Sequence, residues 1–212
     1  MAIKLLSFFI DNNTPVFAGK KQQIDISIHR SITKGNTTNE LLINTPNHIG
    51  THIDFPKHFS NDGKSNESYS ADFWFFNNIG FLNCSINDFI SEIDNLDKKI
   101  EILIWRSGFG KFRGSETYWK EQSVIPSYFA DILKNKFKEL RVFGFDMISL
   151  TSLNDKEEGK KAHFEFLIKN EILIIEDMDL ENVTSVPNRI LVSPWQIRDA
   201  DGVPCSVYGF FD

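Results

Sequence analysis

Cysteine is scarce in this chain, two in 212 residues, and that scarcity is informative. Cys84 and Cys205 form no CxxC pair and sit in no disulfide framework, which excludes a stapled secreted scaffold and a thiolate zinc site. Each reads as a small buried residue of a protein in a reducing compartment. No apolar run approaches the roughly 18 residues of a membrane helix; the stretch Leu5 to Ile10 is too short, and no small-residue cleavage site follows it. The expected location is therefore the cytoplasm. Basic blocks are also missing. With 23 Lys and Arg against 29 Asp and Glu, a net charge of −6, neither nucleic acid nor an anionic membrane is expected as a partner, and small molecules are. There is no Gly-x-Ser-x-Gly elbow, and neither cysteine has a histidine near it in sequence, so no side-chain nucleophile offers itself.

What the chain does have is histidine concentrated in one place. Three of its five histidines, His48, His52 and His58, share eleven residues with Asp54. Imidazole and carboxylate suit Zn²⁺ and its divalent first-row neighbours without any thiolate. An extended backbone advances ~3.3 Å per residue and points side chains two apart to one face, so His52 and Asp54 can converge on one ion. His48 would lie ~13 Å away along the same strand, so the chain must turn between them, and Gly50 permits that turn. A helix would also bring positions 48 and 52 together. Gly50, β-branched Thr51 and Ile53, and Pro56 disfavour one. His58, beyond Pro56, falls out of register with the ligands; it is expected to face the metal without binding it, as a general acid or base with an ordinary pKa of ~6.5. Taken singly, each is an ordinary histidine of a turn-rich segment; grouped around a glycine hinge, they point to a metal centre.

The run His48-x-Gly50-Thr51-His52-x-Asp54-x-Pro56-x-His58 is similar, without a break, to the signature of the cyclase family of metal-dependent hydrolases, whose members include bacterial kynurenine formamidases. Thr14-Pro15-Val16-Phe17-Ala18-Gly19, Arg106-Ser107-Gly108-Phe109, Val142 to Ser149 and Asp201-Gly202-Val203-Pro204 resemble other segments of that family. Thr151 stands where the family often has a second aspartate, and Trp195 where leucine is usual. The resemblance implies one α/β domain over residues 1–212 with a swivelling β/β/α architecture, a pair of zinc ions per subunit with manganese as the alternative, and a homodimer. It also implies the second half of the centre: His163, opening a helix, and Glu176, closing the next strand, would hold the second ion, with Asp54 bridging the two. By itself His163 reads as a helix-surface histidine. Glu165, Glu171 and Asp177 compete with Glu176, which has the better position directly after Ile172-Leu173-Ile174-Ile175.

Length favours a single domain, able to bury about 70% of its unfolded surface, and the twenty phenylalanines are expected mostly in its core. Period-two or continuous apolar patterns predict strands over 2–10, 24–30, 99–105, 141–149, 171–176, 186–194 and 205–211. His29 falls on the polar side of the second of these. Helical spacing appears over 87–93 and 126–137, and a short helix is expected over 162–168. Residues 61–70 and the charged stretch 151–161 read as loops, and Phe73 to Phe76 as core. Gly108-x-Gly110-x-x-x-Gly114 follows a strand but departs from GxGxxG, so it reads as a turn rather than a phosphate loop. Asp146 is expected to cap or to take buried hydrogen bonds, not to catalyse.

With the resemblance, these residues imply hydrolysis of an amide by metal-activated water, N-formylkynurenine being the leading substrate. A cyclic amide such as isatin, or a lactone, is the alternative within the family. A metal-stabilised binding protein that has lost turnover is the alternative from another class, and His58, a proton carrier that such a protein would have no reason to keep, argues against it.

Overall fold

Four stretches of valine, isoleucine, leucine and phenylalanine lie side by side at the centre of the molecule. A computed structural model describes residues 2–19 and 24–212. Its strands are β1 (Ala2–Leu5), β2 (Asp25–Arg30), β3 (Glu40–Asn44), β4 (His52–Asp54), β5 (Phe75–Phe76), β6 (Ile79–Asn83), β7 (Ile102–Arg106), β8 (Val142–Phe145), β9 (Leu173–Glu176), β10 (Arg189–Pro194) and β11 (Gly202–Phe211). The helices are α1 (Phe89–Glu92), α2 (Thr117–Lys120), α3 (Tyr128–Lys136) and α4 (Lys156–His163), the last running directly into a π-helical segment, Phe164–Lys169. This is a mixed α/β domain.

Strands β6, β7, β8 and β9 are parallel, and their apolar runs match the continuous hydrophobicity that a sheet covered on both faces requires. Phenylalanines seal one face of it. Phe89 stacks on Phe129 of α3 at 4.7 Å between ring centroids, and Phe143 on Phe166 of the π segment at 5.4 Å, all four fully buried.

The antiparallel half is organised by β11. It pairs along its length with β10, while its other edge is shared between β1 and β4. β4 then joins the two halves, because its second edge pairs antiparallel with β9, placing His52 opposite Glu176 and Ile53 opposite Ile175. With β5 on the outer edge of β10, nine strands form one sheet among the described residues; β2 and β3 pair only with each other, as a separate hairpin on which His29 is exposed. No helix of the described residues is long and apolar enough to cross a membrane.

Three expectations need correction. Residues 151–161 are not all loop, because α4 begins at Lys156 behind an N-cap in which Asp155 accepts the Glu158 amide hydrogen bond. Its charge and glycine disguised it. Gly159 belongs there because Thr151 packs on it: a Cβ would stand 2.5 Å from Thr151 Oγ1. His163 accordingly closes an α-helix instead of opening one. The first strand is also shorter than expected, since only Ala2–Leu5 pairs in the sheet before the chain turns inward to bridge Ser7 to Met178. Asp146 does take buried hydrogen bonds: it accepts the backbone N–H groups of Ser107, Gly108 and Gly110, so the glycine turn after β7 already holds an anion of its own.

Candidate metal centre

β4 carries His52 and Asp54 on one face with Ile53 turned into the core, and the antiparallel register with β9 sets Glu176 beside His52. Gly50, with φ of 58°, makes the left-handed turn that returns His48 to its partners. α4 delivers His163 from the far side. Around Asp54, 1% exposed, the geometry closes: Oδ1 lies 2.8 Å from His48 Nδ1 and 3.5 Å from His52 Nε2, and Oδ2 lies 3.7 Å from His163 Nε2. Glu176 mirrors it, 3.5 Å from His52 Nε2 through one oxygen and 3.5 Å from His163 Nε2 through the other. Both carboxylates thus reach between imidazoles, whereas the family resemblance implies a bridging role for Asp54 alone.

This donor set fits a divalent ion. His52 Nδ1 donates to the Gly50 carbonyl and His163 Nδ1 to the Gly159 carbonyl, both at 2.8 Å, so each ring turns its Nε2 lone pair toward the carboxylates. Two buried carboxylates and three imidazoles meet with no lysine or arginine among the described residues lining the cleft. Burial alone would raise the Asp54 pKa, but hydrogen bonding and charge from His48, then the charges of His52 and His58, hold it well below the usual carboxylate range. Burial likewise opposes charge on His48; hydrogen bonds to Asp201 and Asp54 outweigh it and lift its pKa to about 10. An imidazole nitrogen facing a carboxylate this closely needs a proton or a metal cation between them, and metal binding would release the proton.

His58 lies nearer the centre than expected. It follows Pro56 in a short 3₁₀ turn, its ring 4.1 Å from that of His48, and its Nδ1 donates to Asp201 Oδ2 at 2.8 Å. One ligand-type atom each from His48, Asp54 and His58 lie within 4.8 Å of one another, as do those of His52, Asp54 and Glu176. The competing carboxylates are engaged elsewhere: Glu165 with Lys169, Glu171 with Lys64, and Asp177 with Arg113 and Tyr118. The centre opens into a cleft of about 230 Å³ with Phe17, Phe59 and Ile148 on its walls, Phe59 stacking on His163 at 4.7 Å.

Three residues here escaped the sequence reading. Phe59 and Ile148 carried no signal beyond hydrophobicity. Asp201 carries one, the Asp-Gly step at the start of the last strand, which in the sequence signals only a turn.

Residues 5–151 match the family model described as putative cyclase. The chain belongs to the cyclase family. The match ends before His163 and Glu176, so their part in the centre rests on the geometry above. The kynurenine formamidase of Bacillus cereus (strain ATCC 10987 / NRS 248) is 31% identical over 162 residues, spanning 74% of this chain and 73% of that one. The kynurenine formamidase of Bacillus anthracis is 32% identical over 168 residues with the same coverage. Among solved structures, that of a potential metal-dependent hydrolase with cyclase activity superposes with a TM-score of 0.73 at 20% identity, over 98% of this chain and 96% of that one. Isatin hydrolase A from Labrenzia aggregata superposes with a TM-score of 0.77 at 15% identity, over 98% and 92%. For this cyclase-family hydrolase, the structural likenesses establish that the fold is shared.

Proposed function

We propose that this cyclase-family hydrolase cleaves an aryl formamide, with N-formylkynurenine as its first candidate substrate, and that it works in the reducing cytoplasm that its two unpaired cysteines fit. The observation that carries the reading is the meeting of His52, Asp54, His163 and Glu176 around shared carboxylates, in a chain whose curated relatives are formamidases. His48, His52 and Asp54 would hold one zinc or manganese ion, and His163 and Glu176 a second, with both carboxylates reaching between them. When bound, such ions polarise a carbonyl and supply water that ionises near neutral pH. The reaction consumes one water: its oxygen joins the formyl carbon, the C–N bond breaks, formate departs, and the aniline nitrogen gains a proton. His58 is the residue to move that proton. His58 lines the cleft, and with Nδ1 engaged by Asp201 its Nε2 is the nitrogen left to serve the leaving group. Phe17, Phe59 and Ile148 offer a flat ring apolar walls.

The test is an assay of protein loaded with zinc or manganese against N-formylkynurenine, formanilide and isatin. His58→Ala is expected to lower kcat on the formamides by roughly 10²- to 10⁴-fold while metal content stays unchanged. Wild-type protein that binds metal yet hydrolyses none of the three would overturn the assignment, and preferential turnover of isatin would move it to the cyclic amides.

The homodimer belongs to the same reading. β2 and β3 expose Ile28, Leu41, Leu42 and Ile43 at 50–61% on a hairpin that packs little against the sheet, and an isolated two-stranded ribbon is marginal in water. A second copy covering the hairpin resolves both problems. Light scattering should give twice the mass of the chain, and Leu42→Glu should shift it toward monomer; a monomeric wild type excludes this interface.

A further inference from the structure

We infer that Asp201 is a positioning residue that fixes, through a single carboxylate oxygen, the tautomer of His58 and the N–H that His48 keeps when its other ring nitrogen serves a metal. The inference deepens the hydrolytic reading above and rests on it for its kinetic consequence. Oδ2 of Asp201 accepts from His48 Nε2 at 2.9 Å and from His58 Nδ1 at 2.8 Å, while Oδ1 accepts from Asn47 Nδ2 at 2.6 Å. An ionised carboxylate has only acceptors, so each ring nitrogen that faces it must be an N–H. Two consequences follow by elimination. His48 carries a hydrogen on Nε2 toward Asp201 and, by the same rule, one on Nδ1 toward Asp54 at 2.8 Å; a bound metal would displace the Nδ1 hydrogen, and Asp201 would hold the other N–H in place, as carboxylates commonly do for metal-ligating histidines. His58 keeps its hydrogen on Nδ1 and presents Nε2 to the cleft in one defined state, as the orienting aspartate of a His-Asp pair does.

The fold pins Asp201 in place for this task. Its carbonyl accepts the Phe55 N–H at 2.9 Å, tying it to the segment that carries the histidines, and Gly202 beside it lies opposite Asp54 in the β4–β11 pairing. The glycine is required there, because a Cβ would come within 2.3 Å of the His48 ring. An aspartate that served only its own turn would accept from its own backbone. The side-chain hydrogen bonds of this one come instead from residues 143 to 154 positions away.

The test combines a spectroscopic and a kinetic readout. In metal-loaded wild-type protein, long-range ¹H–¹⁵N correlation of the imidazoles should show His58 as a single Nδ1–H tautomer. In Asp201→Asn, whose amide can accept only through its one carbonyl oxygen, His58 should become a mixture of tautomers. At saturating metal, kcat should fall about 10- to 100-fold with KM within twofold, and the metal dissociation constant should rise about 10- to 100-fold. A wild-type His58 carrying its hydrogen on Nε2 would overturn the inference without any variant. So would Asp201→Asn with wild-type imidazole signals and unchanged kcat. Loss of metal affinity with kcat fully restored at saturation would refute the His58 half. Wild-type protein with the expected tautomer but no hydrolysis would sink the hydrolytic reading and leave the assignment of Asp201 standing.

Discussion

Asp54→Ala should empty the centre of metal and lower kcat/KM on aryl formamides by roughly 10⁴-fold, the largest effect expected of any single change to the centre. Asp54 is the residue on which the imidazoles converge: His48, His52 and His163 lie within 3.7 Å of one or other of its oxygens. Glu176 reaches two of those three, so it cannot replace Asp54 at His48. The stability readout separates a lost ligand from a damaged fold. In metal-free protein Asp54→Ala strands His48 without its buried partner, so Tm should fall somewhat, and the discriminating comparison is the response to metal. Added zinc should stabilise the wild type by RT ln(1 + [metal]/Kd) and leave the variant almost unmoved. A variant that keeps both full metal content and the metal-induced rise in Tm would remove Asp54 from the centre.

The part of this centre legible in the sequence was the part that is local. The two-residue period put His52 and Asp54 on one face, and a glycine between His48 and His52 announced the turn; both are properties of a few consecutive residues. His163 and Glu176 enter only through the family resemblance: the place of Glu176 directly after Ile172-Leu173-Ile174-Ile175 favours it over Glu165, Glu171 and Asp177, but nothing local ties either residue to the centre. What distinguishes them is pairing: Glu176 stands opposite His52 only because β9 and β4 take that register, and register between strands more than a hundred positions apart is not written in either strand alone. Asp201 was missed for the same reason, its partners being 143 to 154 residues away. Among the helices, α3 was visible by its apolar stripe, whereas α4 was hidden because it buries a narrow face of Gly159, Ala162 and His163 in which two residues carry no hydrophobic signal. The strand β6 drew no expectation at all, since Gly80 and Asn83 dilute its five residues.

Arg113→Ala should cost about 3–5 kcal/mol of stability and weaken metal binding, although Arg113 touches none of the candidate ligands. The reason is Asp177, which follows Glu176 directly and is 1% exposed at a left-handed φ of 51°. Arg113 donates through Nε and Nη2 to both of its carboxylate oxygens, Nε at 2.8 and 3.1 Å and Nη2 at 2.8 Å, and the Tyr118 hydroxyl adds a donor at 2.6 Å. The guanidinium also lies over the Phe8 ring at 3.8 Å. Burial pushes the Tyr118 hydroxyl well above its usual range, and the charge of Asp177 pushes the same way. Without Arg113 this buried carboxylate keeps, among the described residues, only the Tyr118 hydroxyl as a side-chain donor, directly beside Glu176 in the chain. The backbone at 177 can relieve that only by moving toward water, and Glu176 must move with it. At this chain length the loss corresponds to a fall in Tm of roughly 10 °C. Charge, not shape, is the proposed cause, so the double variant Arg113→Ala with Asp177→Asn should recover much of the loss, asparagine being tolerant of the left-handed conformation. A single variant within about 2 °C of wild type would show that the pair contributes little. A double variant no more stable than the single would show that the missing packing on Phe8, and not the stranded carboxylate, is what the protein loses.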